Sequence, residues 1–112
     1  MDHDEQRALA RYADISTEAA SFRLRAARLS LGLTQKEMAD EVGAKPGSYS
    51  TYETGRVHPP LAVIRHLYRA YNIDFNFILY GDFRRLPADT QEPIFDALLE
   101  LQSPEGRAEG SG

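Results

Sequence analysis

The sequence predicts an all-α fold, five helices followed by an additional C-terminal helix. Three observations carry that prediction. Through the middle of the chain, apolar residues recur at spacings of three and four, and the apolar/polar alternation that marks strands is absent. Residues that start and stop helices stand at the ends of those stripes. Two of the helices are short and separated by a tight turn containing glycine, the arrangement of a helix-turn-helix.

Ser16 and Thr17 can cap the first helix, which runs to about Leu31 and stops at Gly32, with Phe22, Leu24, Ala27 and Leu31 on its apolar side. Thr34 caps a second, short helix. Glu37 stands three residues on, so hydroxyl and carboxylate can each satisfy the other residue's orphan backbone N–H. Met38, Ala39 and Val42 point inward, and Gly43 ends that helix. Pro46 suits the first turn of the third helix, because its fixed φ is already helical. Tyr49, Tyr52 and Glu53 carry this helix to Thr54-Gly55, with Tyr49 and Tyr52 expected in the core. After a Val57-His58-Pro59-Pro60 loop, Leu61, Ile64, Leu67, Tyr68 and Tyr71 form the stripe of a fourth helix. Asp74 can cap a fifth, from Phe75 to Tyr80, stopped by Gly81.

The flanks are less regular. Residues 1–15 form an acidic arm whose composition favours helix, but only Leu9 and Tyr12 can anchor it, so it is expected to fray. In the extension 83–102, Pro93 suits a first helical turn. Ile94, Leu98 and Leu101 align beside Phe95 and Leu99. Such a stripe needs cover, either from the five-helix core or from a second subunit as a dimer interface. Residues 103–112 carry no large apolar side chain and read as a disordered tail.

Composition narrows the function classes. With 112 residues, the chain allows one domain with tails. Without cysteine there is no disulfide framework, thiol nucleophile or cysteine-ligated metal site. His3, His58 and His66 are scattered without a ligand cluster, so neither a metal nor any other cofactor is expected. No glycine-rich phosphate loop or nucleophile elbow is present, and acid pairs such as Asp40-Glu41 read as a solvated helix face, so an enzyme is not expected. No apolar run approaches a membrane span, and the acidic N-terminus lacks the basic start of a signal peptide, so a soluble cytoplasmic protein is expected. A single domain also leaves no evident place for a small-molecule sensor. The net charge of −4 is unevenly spread: residues 1–15 sum to −2, residues 83–112 to −3, and residues 16–82 to +1. A near-neutral centre can still carry one basic face.

The run Arg28-Leu29-Ser30-Leu31-Gly32-Leu33-Thr34-Gln35-Lys36-Glu37-Met38-Ala39-Asp40-Glu41-Val42-Gly43, then Tyr49-Ser50-Thr51-Tyr52-Glu53-Thr54-Gly55-Arg56 with Pro59-Pro60 after it, resembles the phage-repressor and Cro type of helix-turn-helix, the XRE family. Residues 72–82 are similar to the family's closing helix. The resemblance covers roughly residues 20–82 and implies a repressor-like domain that binds double-stranded DNA. It implies that Gln35 contacts phosphate, that the helix from Pro46 to Thr54 enters the major groove, that Arg28 pairs with Glu53, and that Arg56, with His58 nearby, reaches the DNA backbone.

The residues themselves agree in part. A helix N-terminus attracts phosphate through free N–H groups and about half a positive charge. Thr34, Gln35 and Lys36 add a hydroxyl, an amide and an ammonium to that end. Lys45 at the entrance of the next helix and Arg56 beyond its end bracket it with cations, though Lys45 can equally reach a guanine. The expected base-facing residues are Pro46, Gly47, Ser48, Ser50 and Thr51. None offers the paired hydrogen bonds of Gln, Arg, Lys or Asn, so readout is expected to lean on phosphate contacts, methyl contacts and DNA shape. The same poverty also suits a protein-binding module of this fold, an antitoxin or antiactivator, with weak or no DNA binding. The expected function is a transcriptional regulator acting as a homodimer on a palindromic operator.

Overall fold

The computed structural model of the chain describes residues 1–103. They form seven helices and no strand: α1 His3–Ala10, α2 Thr17–Ser30, α3 Gln35–Val42, α4 Pro46–Glu53, α5 Leu61–Tyr71, α6 Phe75–Tyr80 and α7 Ala88–Gln102. The tail expected to be disordered lies, from residue 104 on, outside the described residues.

The caps follow the sequence signals. The Ala19 N–H donates to Ser16 Oγ at 3.1 Å, and the Phe77 N–H donates to Asp74 Oδ1 at 3.0 Å. The capping box closes in both directions, Glu37 N–H to Thr34 Oγ1 at 3.0 Å and Thr34 N–H to Glu37 Oε1 at 2.9 Å. Gly43 ends α3 in the left-handed conformation, φ 71°.

α2 is the central helix, packed by α4, α6 and α7. It is buried almost all round: Ala19, Ala20, Leu24, Ala26 and Ala27 are enclosed, together with Arg23 and Arg28. Phe22, expected on its apolar side, is instead half-buried under the Arg11 guanidinium, 3.9 Å from the ring centre. Leu24 shares the core with Met38, Tyr49, Ile64, Leu67, Ile73, Phe77 and Ile78. Tyr52, expected in that core, lies half-buried at its margin, edge-on to Tyr49.

Both flanks differ from expectation. α1 is a docked helix, not a fraying one. Asp2 caps it through the Glu5 N–H at 2.8 Å, and its last residue, Ala10, is fully enclosed where α1 meets α7. The holding group is Arg23, a buried arginine with no carboxylate partner among the described residues. Its Nε donates to the Ala10 carbonyl at 2.8 Å and its Nη1 to the Ile78 carbonyl at 3.1 Å, while Nη2 donates to the carbonyls of Arg11 and Asp14. Burial brings this guanidinium down to about 10, so it stays charged at neutral pH. Gly81 makes room for it: at φ 78°, a Cβ there would stand 2.7 Å from the Ala10 oxygen and 2.8 Å from Arg23 Nη2.

α7 begins earlier than expected, at Ala88, so Pro93 lies inside the helix. The N–H that Pro93 lacks would have bonded the Asp89 carbonyl. Both residues are exposed, so water can serve that oxygen. The α7 stripe is spent within the chain. Ile94, Phe95, Leu98 and Leu101 are buried against α2 and α1, and Phe83 stacks edge-on to Phe95 at 5.1 Å. Four of the five expected dimer-interface residues are therefore core residues, and only Leu99 stays exposed. α2 offered the nearest apolar surface, and the stripe took it. Of the two covers expected for the 83–102 stripe, the structure shows the core of the same chain, and α1 and α7 pack against each other and α7 against α2.

Candidate nucleic-acid interface

One buried carboxylate organises the helix-turn-helix. Glu53, the last residue of α4, receives Arg28 Nε on Oε2 at 2.7 Å and Arg28 Nη2 on Oε1 at 3.0 Å, the bidentate pair that the family resemblance implies. The Tyr49 hydroxyl donates to Oε2 at 2.5 Å, and Gln35 Nε2 donates to Oε1 at 3.1 Å. Arg28 also donates through Nη1 to the Leu33 carbonyl at 2.7 Å. Helices α2, α3 and α4 are thus cross-linked through a single side chain. Burial, with the Glu53 charge next in weight, pushes the Tyr49 phenol well above its ordinary range, so it stays a donor.

This geometry gives Gln35 a defined posture at the first position of α3. Its amide spends one N–H on Glu53 and has a second to offer outward. Nearby, a hollow of about 390 Å³ is lined by Arg25, Arg28, Leu29, Gly32, Leu33, Thr34 and Gln35. Sequence reasoning missed Arg25 here. Its signal was the spacing of three from Arg28, which puts both on one side of α2.

α4 packs on α2 and α3 through Tyr49 and Glu53 and shows its other side to solvent. Pro46, Gly47 and Ser48 are exposed, Ser50 and Thr51 are half-exposed, and a Cβ added at Gly47 would meet nothing within 4 Å. The structure therefore places all five expected base-facing residues on one short helix, with the first turn fully open. Ser50 Oγ donates to the Gly47 carbonyl at 3.1 Å and Thr51 Oγ1 to the Ser48 carbonyl at 2.7 Å. With those protons turned onto the helix, the oxygens face outward as acceptors.

The expected cations stand around this helix. Lys36 follows Gln35 in the first turn of α3. Lys45 occupies the N-cap of α4 without a side-chain capping bond, and Arg56 follows the turn at Gly55. All three are exposed, and none pairs with an acid among the described residues. Of the neighbouring acids, Glu37 closes the capping box, and Glu41 accepts from the Tyr71 hydroxyl at 2.7 Å and meets His66 Nε2 at 2.8 Å, while Asp40 on α3 and Glu18, which packs on Gly55, are exposed. The Glu41 cluster, unforeseen in the sequence, ties the outer side of α3 to α5. His58 turns its Nδ1 to the Pro59 carbonyl at 2.9 Å. Beyond the end of α4, Val57 and Leu61 are 44% and 65% exposed.

Two short helices, α3 and α4, joined by a tight turn through Gly43, with α4 held to α2 by a buried ion pair and its outer side exposed, form a helix-turn-helix. The family model described as "Helix-turn-helix domain" matches residues 19–74, half of the chain, and the chain belongs to that family. It is 31% identical over 67 residues to the SPbeta prophage-derived uncharacterized HTH-type transcriptional regulator YonR of Bacillus subtilis, covering 60% of this chain and 62% of that protein. It is 40% identical over 47 residues to the vegetative-specific protein H7 of Dictyostelium discoideum, covering 42% of this chain and 45% of that one. The chain thus spans about three-fifths and under half of the length of these relatives. No solved structure matches significantly. Among the described residues, no helix is long and apolar enough to cross a membrane.

Proposed function

We propose that this protein is a sequence-selective, DNA-binding transcriptional regulator that acts as a homodimer on a palindromic operator. The observation that carries the reading is the open face of α4, whose own outward side chains include no carboxylate, flanked by Lys36, Lys45 and Arg56, none of them ion-paired among the described residues. The family membership and the regulator name borne by the Bacillus relative support it. In this reading Thr34, Gln35, Lys36, Lys45 and Arg56 hold phosphates on either side of the groove, and Pro46, Gly47, Ser48, Ser50 and Thr51 meet the bases. A second subunit would double a modest electrostatic footprint and set two α4 helices about 34 Å apart. With the α7 stripe buried, the exposed apolar pair Val57 and Leu61 at the end of α4 is the surface we assign to that contact.

The second reading, a protein-binding module of the same fold, draws on the absence of paired hydrogen-bonding side chains on α4. Selection of bound duplexes from a random DNA pool, followed by titration across salt, separates the two. The regulator yields an enriched inverted repeat bound with a steep salt slope. If no duplex is bound better than random DNA, the protein-binding reading replaces it.

A further inference from the structure

We propose that the hollow between α1 and the segment leading into α7 binds a small amphipathic anion, an aromatic carboxylate. The hollow has a volume of about 360 Å³ and is lined by His3, Arg7, Tyr12, Phe83 and Arg84. None of these belongs to the α3–α4 surface, and the inference does not depend on the proposed function.

Two of its walls are aromatic and held in place. Phe83 is buried edge-on to Phe95, and Tyr12 stands edge-on to Tyr80 with ring centres 5.3 Å apart. The remaining lining is the Arg7 and Arg84 guanidinium groups and the His3 imidazole. His3 and Arg7 lie four residues apart on one side of α1, and Arg84 follows Phe83. Among the described residues no acid lines the hollow, though Asp4 and Asp82 pair with its two arginines. Asp4 holds Arg7 at 2.6 Å from a position 90% exposed, a solvated pair of little worth. Arg7 can therefore exchange Asp4 for a ligand carboxylate at small cost. Asp82 takes Arg84 through Nε and Nη2, at 2.9 and 2.8 Å, which leaves Nη1 to donate to a second oxygen.

The walls and the charges select the ligand together. A bare inorganic anion would leave the Phe83 and Tyr12 faces wet, and a neutral aromatic would leave both guanidinium groups unused. A flat apolar body with one carboxylate satisfies both, within the size range of small-ligand pockets. The sequence alone pointed away from small-molecule sensing because it shows no second domain. The hollow exists only because α1 docks, a contact that Arg23 secures from 12 or more residues away.

The test is an amide NMR titration of the full chain with benzoate and 1-naphthoate, with benzyl alcohol and inorganic phosphate as controls. We expect saturable shifts centred on residues 3, 7, 12, 83 and 84 with the carboxylates. Binding should be at least about tenfold weaker in the doubly substituted R7S/R84S protein. The exposed control R65S should bind as the native chain does. Absence of saturation at millimolar carboxylate overturns the proposal, as does an equal response to phosphate or to benzyl alcohol. So does unchanged affinity in a folded R7S/R84S protein.

Discussion

Glu53 accepts four hydrogen bonds from three residues, in a place where its side chain is 1% exposed. A buried carboxylate so satisfied is costly to disturb, because removing one partner strands the others. Arg28→Met should lower the unfolding free energy by about 3–5 kcal/mol, read from urea denaturation by circular dichroism. Tyr49→Phe removes one donor and little volume, so about 1.5–3 kcal/mol is expected in the same assay. A loss for Arg28→Met no larger than that for Tyr49→Phe would deny the carboxylate its central place. At this scale the sequence was partly legible. The family resemblance implied the Arg28–Glu53 pair and the buried Tyr49, because those residues sit in a recognisable motif. Arg23 was not legible. Its partners are backbone carbonyls at residues 10, 11, 14 and 78, and backbone acceptors carry no sequence signature.

At the scale of the helix, the outward face of α4 and the cations around it divide the proposed work. Arg56→Ala should weaken binding to all duplexes alike and reduce the salt slope by about 1, while Thr51→Ala should change preference at one or two base pairs by about 1–3 kcal/mol. Competition titrations against random DNA distinguish these outcomes, and a base-selective loss for Arg56→Ala would contradict its backbone role. The attachment of α3 to α5 is pH-sensitive. Hydrogen bonds from His66, then Tyr71, hold the Glu41 carboxyl below its ordinary 4.5. A depressed folded value stabilises the ionised form, so the contribution is full above about 4.5 and is lost as pH falls through the lower folded value. The gap in urea midpoint between native protein and Glu41→Gln should therefore begin to close as pH falls below about 4.5 and vanish below the lower folded value; a gap that stays constant would contradict it. Helix boundaries were legible wherever a cap or a glycine marks them. The start of α7 was not, because Pro87 supplies no capping side chain and Pro93 mimics a first turn.

For the whole molecule, the terminal helices complete the core. Burying Ile94, Phe95, Leu98 and Leu101 contributes about 1.5–3 kcal/mol each as an upper estimate, a total comparable to the roughly 5–15 kcal/mol that holds a domain of this size. A chain ending at Leu86 should therefore lose its cooperative thermal transition, rather than fold as a monomer with the dimer contact removed. A sharp transition in that fragment would refute the assignment. The sequence showed that the α7 stripe needs cover but not what covers it, since an apolar stripe is the same whether its partner is α2 or another subunit. Leu61→Glu tests the dimer surface now assigned: the protein should stay folded, sediment as a monomer and lose operator affinity. If it remains a dimer, the contact lies elsewhere.

The way α4 is fastened has an evolutionary corollary. Its anchors, Tyr49 and Glu53, face the body, while residues 46–48 are exposed, 50 and 51 are half-exposed, and the Ser50 and Thr51 hydroxyls bond only within α4. Scaffold and outward lettering are therefore separable. Such a surface can be rewritten one side chain at a time, each change costing under about 0.5 kcal/mol of stability. Descendants of this chain can drift to new targets without first acquiring a sturdier fold.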